Sequence, residues 1–312
     1  AIGSTGGQWT RLTPQDVRTL VTCGAAGGIA ATFNAPIAAA IFSMEVLIGR
    51  VRTDFLLVLL TSLSSCLVAR SFLGDFPAFM APVYSLVSPA EVPLYFLMGT
   101  LIGVAAIGYI RLLYWSEDAF ASWHFPDWLK PAVGGLLVGL VLRFFPEVYG
   151  SSFTAIESAL WVRFPWEILL GLFVAAMVAN CATLGSGGSG GIFAPTLYMG
   201  AMFGGVFGSF VHELFPAWTA GSGAYAMVGM AAFFAATAKA PTTSIIILFE
   251  MTNDYRIMLP LMAATVGSVY MSHRFSPYSI YTLRLMQRGI SFPYTGTEQP
   301  VTSTPRPEPD TV

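Results

Sequence analysis

The stretch GSGGSGGIFAPTLYMG, residues 185–200, contains the residue types best suited to binding a ligand. Glycine and serine fill its first seven positions, and an apolar run of helix-forming residues follows at once. The first amides of a helix have no acceptor within that helix, and the helix dipole adds about half a positive charge there. Since glycines leave such amides uncovered, the stretch predicts a site for a small anion.

The chemistry of this site favours a weakly held anion such as a halide. No Lys or Arg lies between Arg163 and the glycines, so the predicted donors are uncharged. Conduction requires that an ion can leave its site again, and neutral donors permit that. The alternative is close helix packing through glycine with no ligand. A phosphate-binding loop is disfavoured because no Lys-Ser or Lys-Thr pair follows the glycines.

Three further ionisable residues lie at the ends of apolar runs. Glu45 and Glu250 each close such a run. Carboxylates in a membrane usually face a pathway or a partner, which predicts a proton or ion relay, for Glu45 in particular. The alternative is a helix-end residue in the membrane interface. Lys239 either adds positive potential near a pore or extends its ammonium to the surface.

A hydrolytic alternative rests on two serines and two histidines. Ser186 or Ser189, together with His212 or His273, superficially resembles the serine–histidine dyad of an intramembrane protease. That chemistry needs the two side chains within hydrogen-bond distance. Because both histidines lie at predicted helix ends, the sequence disfavours this enzyme class, and we expect no enzymatic activity.

Composition places these residues in a membrane. The chain is 55% hydrophobic and 10% charged, with a mean hydropathy of +0.67, whereas soluble domains carry about 25% charged residues. A net charge of −2 gives no basic surface for nucleic acid. The cysteines lack metal-ligand spacing and are interpreted as buried apolar residues: Cys23, Cys66 and Cys181. We expect no metal and no cofactor.

The apolar pattern predicts an all-α, polytopic membrane protein. Four of its segments are long enough to cross a bilayer, since about 20 helical residues suffice. Four others are short and form two pairs, separated at Ala-Pro steps that predict helix breaks at Pro36 and Pro241. The ten segments are 18–33, 36–49, 55–73, 92–115, 131–145, 166–184, 191–214, 223–238, 241–251 and 257–273.

The two short pairs are copies of one unit. Residues 24–45 and 229–250 agree at nine of 22 positions without gaps. Gly, Pro and Glu recur at the same spacing in both copies. Chance agreement between two alanine-rich helices would match alanines but would not produce this spacing. Such repeats, with interrupted helices, are typical of transporters and channels built around a central site.

The chain divides into one membrane domain and a tail. Residues 1–291 form the predicted transmembrane domain. Residues 292–312 are rich in Pro and Thr and are predicted to be disordered. The first residues have neither an initiator Met nor the pattern of a signal peptide, so we expect the native product to be longer.

Three motifs resemble signatures of one known family. GSGGSGGIFAPTL resembles the selectivity motif of the CLC family of chloride channels and proton/chloride antiporters. GAAGGIAATFNAPIAAAIFSMEV and AATAKAPTTSIIILFEMTNDYRIMLP are similar to two further signatures of that family, in the same order. The resemblance covers about residues 1–290.

The resemblance implies a homodimer in a lipid bilayer, with one anion pathway and an inverted repeat in each subunit. It also implies that chloride is held by main-chain amides, those of Ile192 and Phe193 above all. A tyrosine hydroxyl from the last membrane helix completes the site, and either Tyr278 or Tyr281 matches. The residues implied in anion binding are Gly188, Ser189, Gly190, Gly191, Ile192, Phe193 and Pro195, with Tyr281 or Tyr278.

Two departures from the family pattern bear on mechanism. The motif with a serine ligand and the motif with the gating glutamate lie upstream of residue 1. Antiporters of the family often carry a second glutamate at the position of Val46, directly after Glu45. Val46 cannot carry a proton, so we expect a channel, with proton-coupled exchange as the alternative.

Overall fold

The protein is all-α. The computed structural model describes residues 2–48, 55–75, 79–84, 86–151 and 153–283, and within these ranges the regular elements are helices. The predicted disordered tail, 292–312, lies outside the described residues. The α-helices are α1 (Ile2–Trp9), α2 (Pro14–Phe33), α3 (Pro36–Phe42), α4 (Phe55–Leu73), α5 (Val92–Ala121), α6 (Lys130–Phe144), α7 (Phe153–Leu160), α8 (Trp166–Gly185), α9 (Phe193–Leu214), α10 (Ser222–Ala238), α11 (Pro241–Thr252) and α12 (Met258–Phe275).

Each of the ten predicted apolar segments coincides with a helix, and the fold class is confirmed. Among the described residues, four helices are long and apolar enough to cross a membrane: Phe55–Leu73, Pro89–Ala121, Trp166–Gly185 and Phe193–Leu214. These are the four segments that sequence length had selected. Sequence periodicity missed α1 and α7, which have eight residues each and are too short to give a clear apolar pattern.

Helix breaks lie at both predicted positions, and they share one backbone conformation. Asn34 and Lys239 are left-handed, with φ of 55° and 58°, and each lies two residues before a proline. The next residues, Ala35 and Ala240, have φ/ψ of −131°/75° and −124°/71°. Pro36 and Pro241 then start α3 and α11, where the missing amide hydrogen removes no helical hydrogen bond.

The repeats are inverted relative to one another. Glu250, near the end of α11, accepts hydrogen bonds from the backbone nitrogens of Ile37 and Ala38 at the start of α3. Glu45, just beyond the end of α3, accepts from the backbone nitrogen of Thr243 at the start of α11. Since the end of each helix meets the start of the other, α3 and α11 run antiparallel.

Helix α10 lies at the centre of the described residues, and all of its side chains are buried. It packs against α9 through glycines that bring the two backbones into contact. A Cβ atom at Gly229 of α10 would collide with the carbonyl oxygen of Gly200 of α9, and one at Gly200 would collide with that of Gly229. This mode of packing is typical of membrane helices, where small residues permit close approach.

The repeat supplies a matched pair of substitutions that tests this contact. Gly229→Ala is expected to destabilise the protein by about 1–3 kcal/mol, because the new methyl group overpacks the α9–α10 contact. Gly24 occupies the equivalent position of the first copy, and a Cβ there would meet nothing within 4 Å.

Gly24→Ala is therefore expected to be neutral, or to stabilise α2 by up to about 1 kcal/mol through helix propensity. Thermal unfolding of the detergent-solubilised full-length protein compares the two variants. Equal melting temperatures would contradict the described contact.

Candidate anion-binding site

The first glycines of the GSGGSGG stretch terminate α8. Gly187 has φ of +83°, a conformation that glycine adopts without strain. The amides of Gly187 and Gly188 donate to the carbonyl oxygens of Leu184 (3.1 Å) and Thr183 (2.9 Å), the pattern of a Schellman motif. The amide of Gly188 is thus engaged with its own helix end, which leaves the later residues of the stretch as candidates for contact with an ion.

The start of α9 presents amides without an acceptor. Ile192 is its N-cap residue, and no side chain caps this end. Thr196 makes the first backbone bond of the helix, to the carbonyl oxygen of Ile192 at 3.1 Å. Within the described part of the chain, the backbone nitrogens of Ile192, Phe193 and Ala194 have no hydrogen-bond acceptor. The buried Pro195 has no amide hydrogen to satisfy.

Asn180 on α8 orients the peptide that leads into α9. Its Nδ2 donates to the carbonyl oxygen of Gly191 at 3.1 Å, and its Oδ1 accepts from the hydroxyl of Tyr109 on α5 at 2.6 Å. In a trans peptide the carbonyl oxygen and the following amide hydrogen point in opposite directions. The bond to Gly191 therefore directs the amide hydrogen of Ile192 away from Asn180.

Open space lies beside Gly191, the residue that directly precedes these amides in the chain. Ser189, Gly190 and Gly191 are exposed, and a Cβ atom at Gly191 would meet nothing within 4 Å. At Gly188, by contrast, a Cβ would lie 2.8 Å from the carbonyl oxygen of Thr183. The two glycines therefore differ in kind: Gly188 is needed for the fold, whereas Gly191 leaves the approach to the helix start clear.

An aromatic cluster fixes the position of this helix start. The ring of Phe193 lies 4.5 Å from that of Phe33, 4.7 Å from that of Phe234 and 5.9 Å from that of Phe42. These partners belong to α2, α10 and α3, so the first residue of α9 is anchored by helices from both repeats. The cluster partly buries Phe193, and its backbone amide remains without an acceptor among the described residues.

The two candidate tyrosines have different surroundings in the structure. Tyr281 packs at the edge of the aromatic cluster, with its ring 6.3 Å from that of Phe42. The backbone of Tyr278 bonds within its own turn, to Ser276, and among the described residues its ring has no partner in the cluster. Of the two, Tyr281 is the residue placed near the start of α9.

The remaining ionisable candidates lie around the helix breaks. Lys239 is 9% exposed, so its ammonium does not extend to the surface, and its Nζ donates to the Ser272 hydroxyl. Glu45 lies in a π-helical turn, Ser43–Ile48, that follows α3. Its carboxylate contacts the start of α11. Neither alternative considered from sequence, a relay or an interfacial residue, included that contact.

The serine–histidine dyad is not formed in the described residues. The Ser186 hydroxyl donates to the carbonyl oxygen of Thr183, and Nδ1 of His212 lies 3.3 Å from the Thr219 hydroxyl. Ser189 and His212 flank opposite ends of the 22-residue helix α9. Neither histidine is hydrogen-bonded to either serine over the ranges that the structure covers.

Sequence reasoning missed Asn180 and Tyr109. Both occur inside apolar runs, where a lone polar residue gives no periodic signal. Their position within segments predicted to cross the membrane was the available clue, because polar groups at membrane depth are expected to have partners.

Comparison with known proteins identifies the family. The sequence profile of the family described as "Voltage gated chloride channel" matches residues 1–273, most of the chain. The chain belongs to the CLC family. The resemblance of the three motifs is thereby confirmed, and with it the assignment as a multi-pass integral membrane protein.

Individual CLC relatives agree with this assignment. A ClcB-like protein of Ralstonia nicotianae is 36% identical over 272 residues, covering 87% of this chain and 63% of that protein. The "H(+)/Cl(-) exchange transporter ClcA" of Vibrio campbellii is 33% identical over 288 residues, or 90% and 61% of the two chains. The "Chloride channel protein CLC-f" of Arabidopsis thaliana is 37% identical over 266 residues, or 78% and 34%. This chain thus spans less than two thirds of the length of these CLC relatives.

A solved CLC structure has the same fold. The crystal structure of a slow cyanobacterial Cl−/H+ antiporter superposes with a TM-score of 0.81 at 25% identity, covering 92% of this chain and 68% of that one.

Proposed function

We propose that the full-length protein containing this chain carries chloride, or a similar small anion, across a membrane. In this proposal the anion is held by the backbone amides of Ile192 and Phe193, with Ala194 beside them. The observation that carries it is the start of α9, where these amides have no acceptor in the described chain and where the preceding residue, Gly191, has open space around its Cβ position.

The chemistry of the site supports a halide over a larger, multiply charged anion. Helix amides supply several short, uncharged donors, and the Asn180 bond fixes one of them in direction before an ion arrives. A phosphate group would require charged partners to be held firmly, and uncharged donors hold an ion weakly enough for rapid release. The proteins named after chloride among the relatives support the same substrate.

Passive conduction is the first form of transport that we propose. Val46 directly follows Glu45 and packs against the apolar core, so it offers no group for proton transfer. Proton-coupled exchange is the second candidate, because one relative is named an H+/Cl− exchanger and a solved structure of the same fold is a Cl−/H+ antiporter.

Reconstitution of the full-length protein tests both forms. Liposomes loaded with chloride are expected to release it when potassium and valinomycin set the membrane potential. For a channel, the chloride reversal potential is expected to stay at the chloride equilibrium value when a pH gradient is imposed. A shift of the reversal potential with pH would establish the exchanger instead, and liposomes that release no chloride would overturn the proposal of anion transport.

A homodimer is also part of the proposal. Helix α4 is long and apolar, and only 17% of its membrane-spanning window is buried within the chain. Its exposed leucines include Leu56, Leu57, Leu60 and Leu67. Such a face suits either lipid or a second copy, and the family resemblance favours the second copy.

A further inference from the structure

The start of α3 is capped by a carboxylate from the other repeat. Glu250 accepts from the backbone nitrogen of Ile37 through Oε1, at 3.0 Å, and from that of Ala38 through Oε2, at 2.7 Å. The residue at the N-cap position, Ala35, has no side chain able to do this. Glu250 therefore caps α3 in place of a local N-cap side chain, although it lies 212 residues away from Ala38 in sequence.

The start of α11 is capped in the same way by the first repeat. Glu45 accepts from the backbone nitrogens of Thr242 (3.3 Å) and Thr243 (2.8 Å), and also from the Thr243 hydroxyl (2.6 Å). The two glutamates occupy equivalent positions of the repeat. Each caps the first two free amides after the proline of the opposite copy.

The geometry joins α3 and α11 at both ends. Because the helices are antiparallel, one carboxylate connects them at the start of α3 and the other connects them at its far end. The π-helical turn Ser43–Ile48 carries Glu45 beyond the end of α3. A helix of seven residues would be marginal by itself, so these contacts are a large part of what holds it in place.

Helix α3 positions part of the aromatic cluster at the candidate anion site. Phe42 is its last residue, and its ring contacts those of Phe193, Phe234 and Tyr281. A movement of α3 along α11 would therefore shift Phe42 against both the start of α9 and Tyr281.

Glu250 shares its surroundings with two charged side chains. It lines a cavity of about 700 Å³ that Arg70 and Asp75 also line. Arg70 is paired with Asp75 at 3.2 Å, and its Nε donates to Asn34 at the helix break. Glu250 therefore lies beside the helix break at Asn34 as well as at the start of α3 itself.

We propose that Glu45 and Glu250 are a reciprocal pair of positioning residues for anion transport. They join α3 to α11 and so hold Phe42 in place against Phe193 and Tyr281. This inference rests on the proposed function, since the quantity it changes is the binding of the transported anion. It assigns both glutamates the same task, whereas a relay would give one of them a separate role in proton movement.

The test uses the full-length protein in liposomes and measures chloride flux against chloride concentration. Glu45→Gln and Glu250→Gln each retain the side-chain shape but replace one acceptor oxygen with a donor that faces a backbone amide. Each variant is expected to raise the concentration for half-maximal flux by about tenfold, the scale of a lost charge-assisted hydrogen bond. The two shifts are expected to be similar, because the contacts are equivalent.

Glu157→Gln is the matched control. Glu157 also accepts from a backbone nitrogen, that of Met80 at 2.8 Å, but no hydrogen bond among the described residues joins it to α3 or α11. We expect it to leave the half-maximal concentration unchanged.

A double-mutant cycle with Phe42→Leu tests whether the glutamates affect anion binding through the position of Phe42 on α3. If the glutamates act through α3, adding Glu250→Gln to Phe42→Leu is expected to cause much less than its tenfold effect alone. Full additivity would overturn the positioning role, as would half-maximal concentrations that match the control. Loss of proton movement with unchanged chloride dependence would assign a relay instead.

A milder variant covers the case in which the Gln variants do not fold. Thr243→Val removes the hydroxyl that donates to Glu45 and keeps the shape of the side chain, so a smaller shift in the same direction is expected. No shift in this folded variant would also overturn the proposal. Absence of chloride flux in the wild type would contradict the proposed function instead, so the two failures are distinguishable.

Discussion

Asn180→Asp is expected to lower the chloride affinity of the full-length protein by at least roughly a hundredfold. The substitution keeps an acceptor for Tyr109 but replaces the donor to the Gly191 carbonyl with a carboxylate oxygen. Losing that hydrogen bond costs about 1–3 kcal/mol. A fixed negative charge several ångströms from a bound anion adds about 2 kcal/mol of repulsion. Calorimetric titration of the purified protein with bromide or chloride measures the change.

Tyr109→Phe is the graded control for this prediction. It removes the hydroxyl that holds Asn180 but leaves the Asn180 bond to Gly191 possible, so an affinity loss of roughly fivefold is expected. Asn180→Leu should fall between the two variants, since it loses the donor without gaining a charge. Unchanged anion affinity in Asn180→Asp would mean that the Ile192 amide does not contact the ion.

Gly191→Val is expected to give a folded protein whose chloride flux is reduced by at least about tenfold. The backbone of Gly191 is not left-handed, and the structure leaves open space around its Cβ position, so the valine side chain fits without strain. In the proposed function, that same space is the approach to the amides of Ile192 and Phe193. The measurement is chloride release from liposomes, with thermal stability recorded for the same preparation.

Gly188→Val is the control that distinguishes an effect on ion access from an effect on folding. Its Cβ would lie 2.8 Å from the Thr183 carbonyl oxygen, inside the helix end that the glycine completes. This variant is expected to lose stability, while Gly191→Val keeps it and loses flux. Normal flux in Gly191→Val would contradict an anion path that reaches the start of α9 through this opening.

Sequence predicted the parts of the fold that depend on local rules. Proline fixes its own φ and disfavours helix at the residue before it, so the breaks at Pro36 and Pro241 could be located to within a residue or two. The apolar lengths located the helices that can cross a membrane. The glycines upstream of Phe193 located the exposed helix start.

Sequence could not predict which residues meet across long separations. The apolar run before Glu45 indicates its membrane surroundings, but its partner, Thr243, lies 198 residues away. The bond between Asn180 and Gly191 depends on how α8 packs beside the segment that follows it. The repeat did contain the information that Glu45 and Glu250 have equivalent surroundings, and three-dimensional packing was needed to show that each faces the other copy.

The segment 187–191 has the composition of a flexible linker but is tied at both of its ends. Hydrogen bonds to Thr183 and Leu184 secure its start, and Asn180 secures Gly191. Ordering a free chain costs about 1–2 kcal/mol of conformational entropy per residue. Here that entropy is lost during folding, before any ion arrives. Ion entry at this point should then be limited by the stripping of water from the ion, and any slow opening step must originate in another part of the protein.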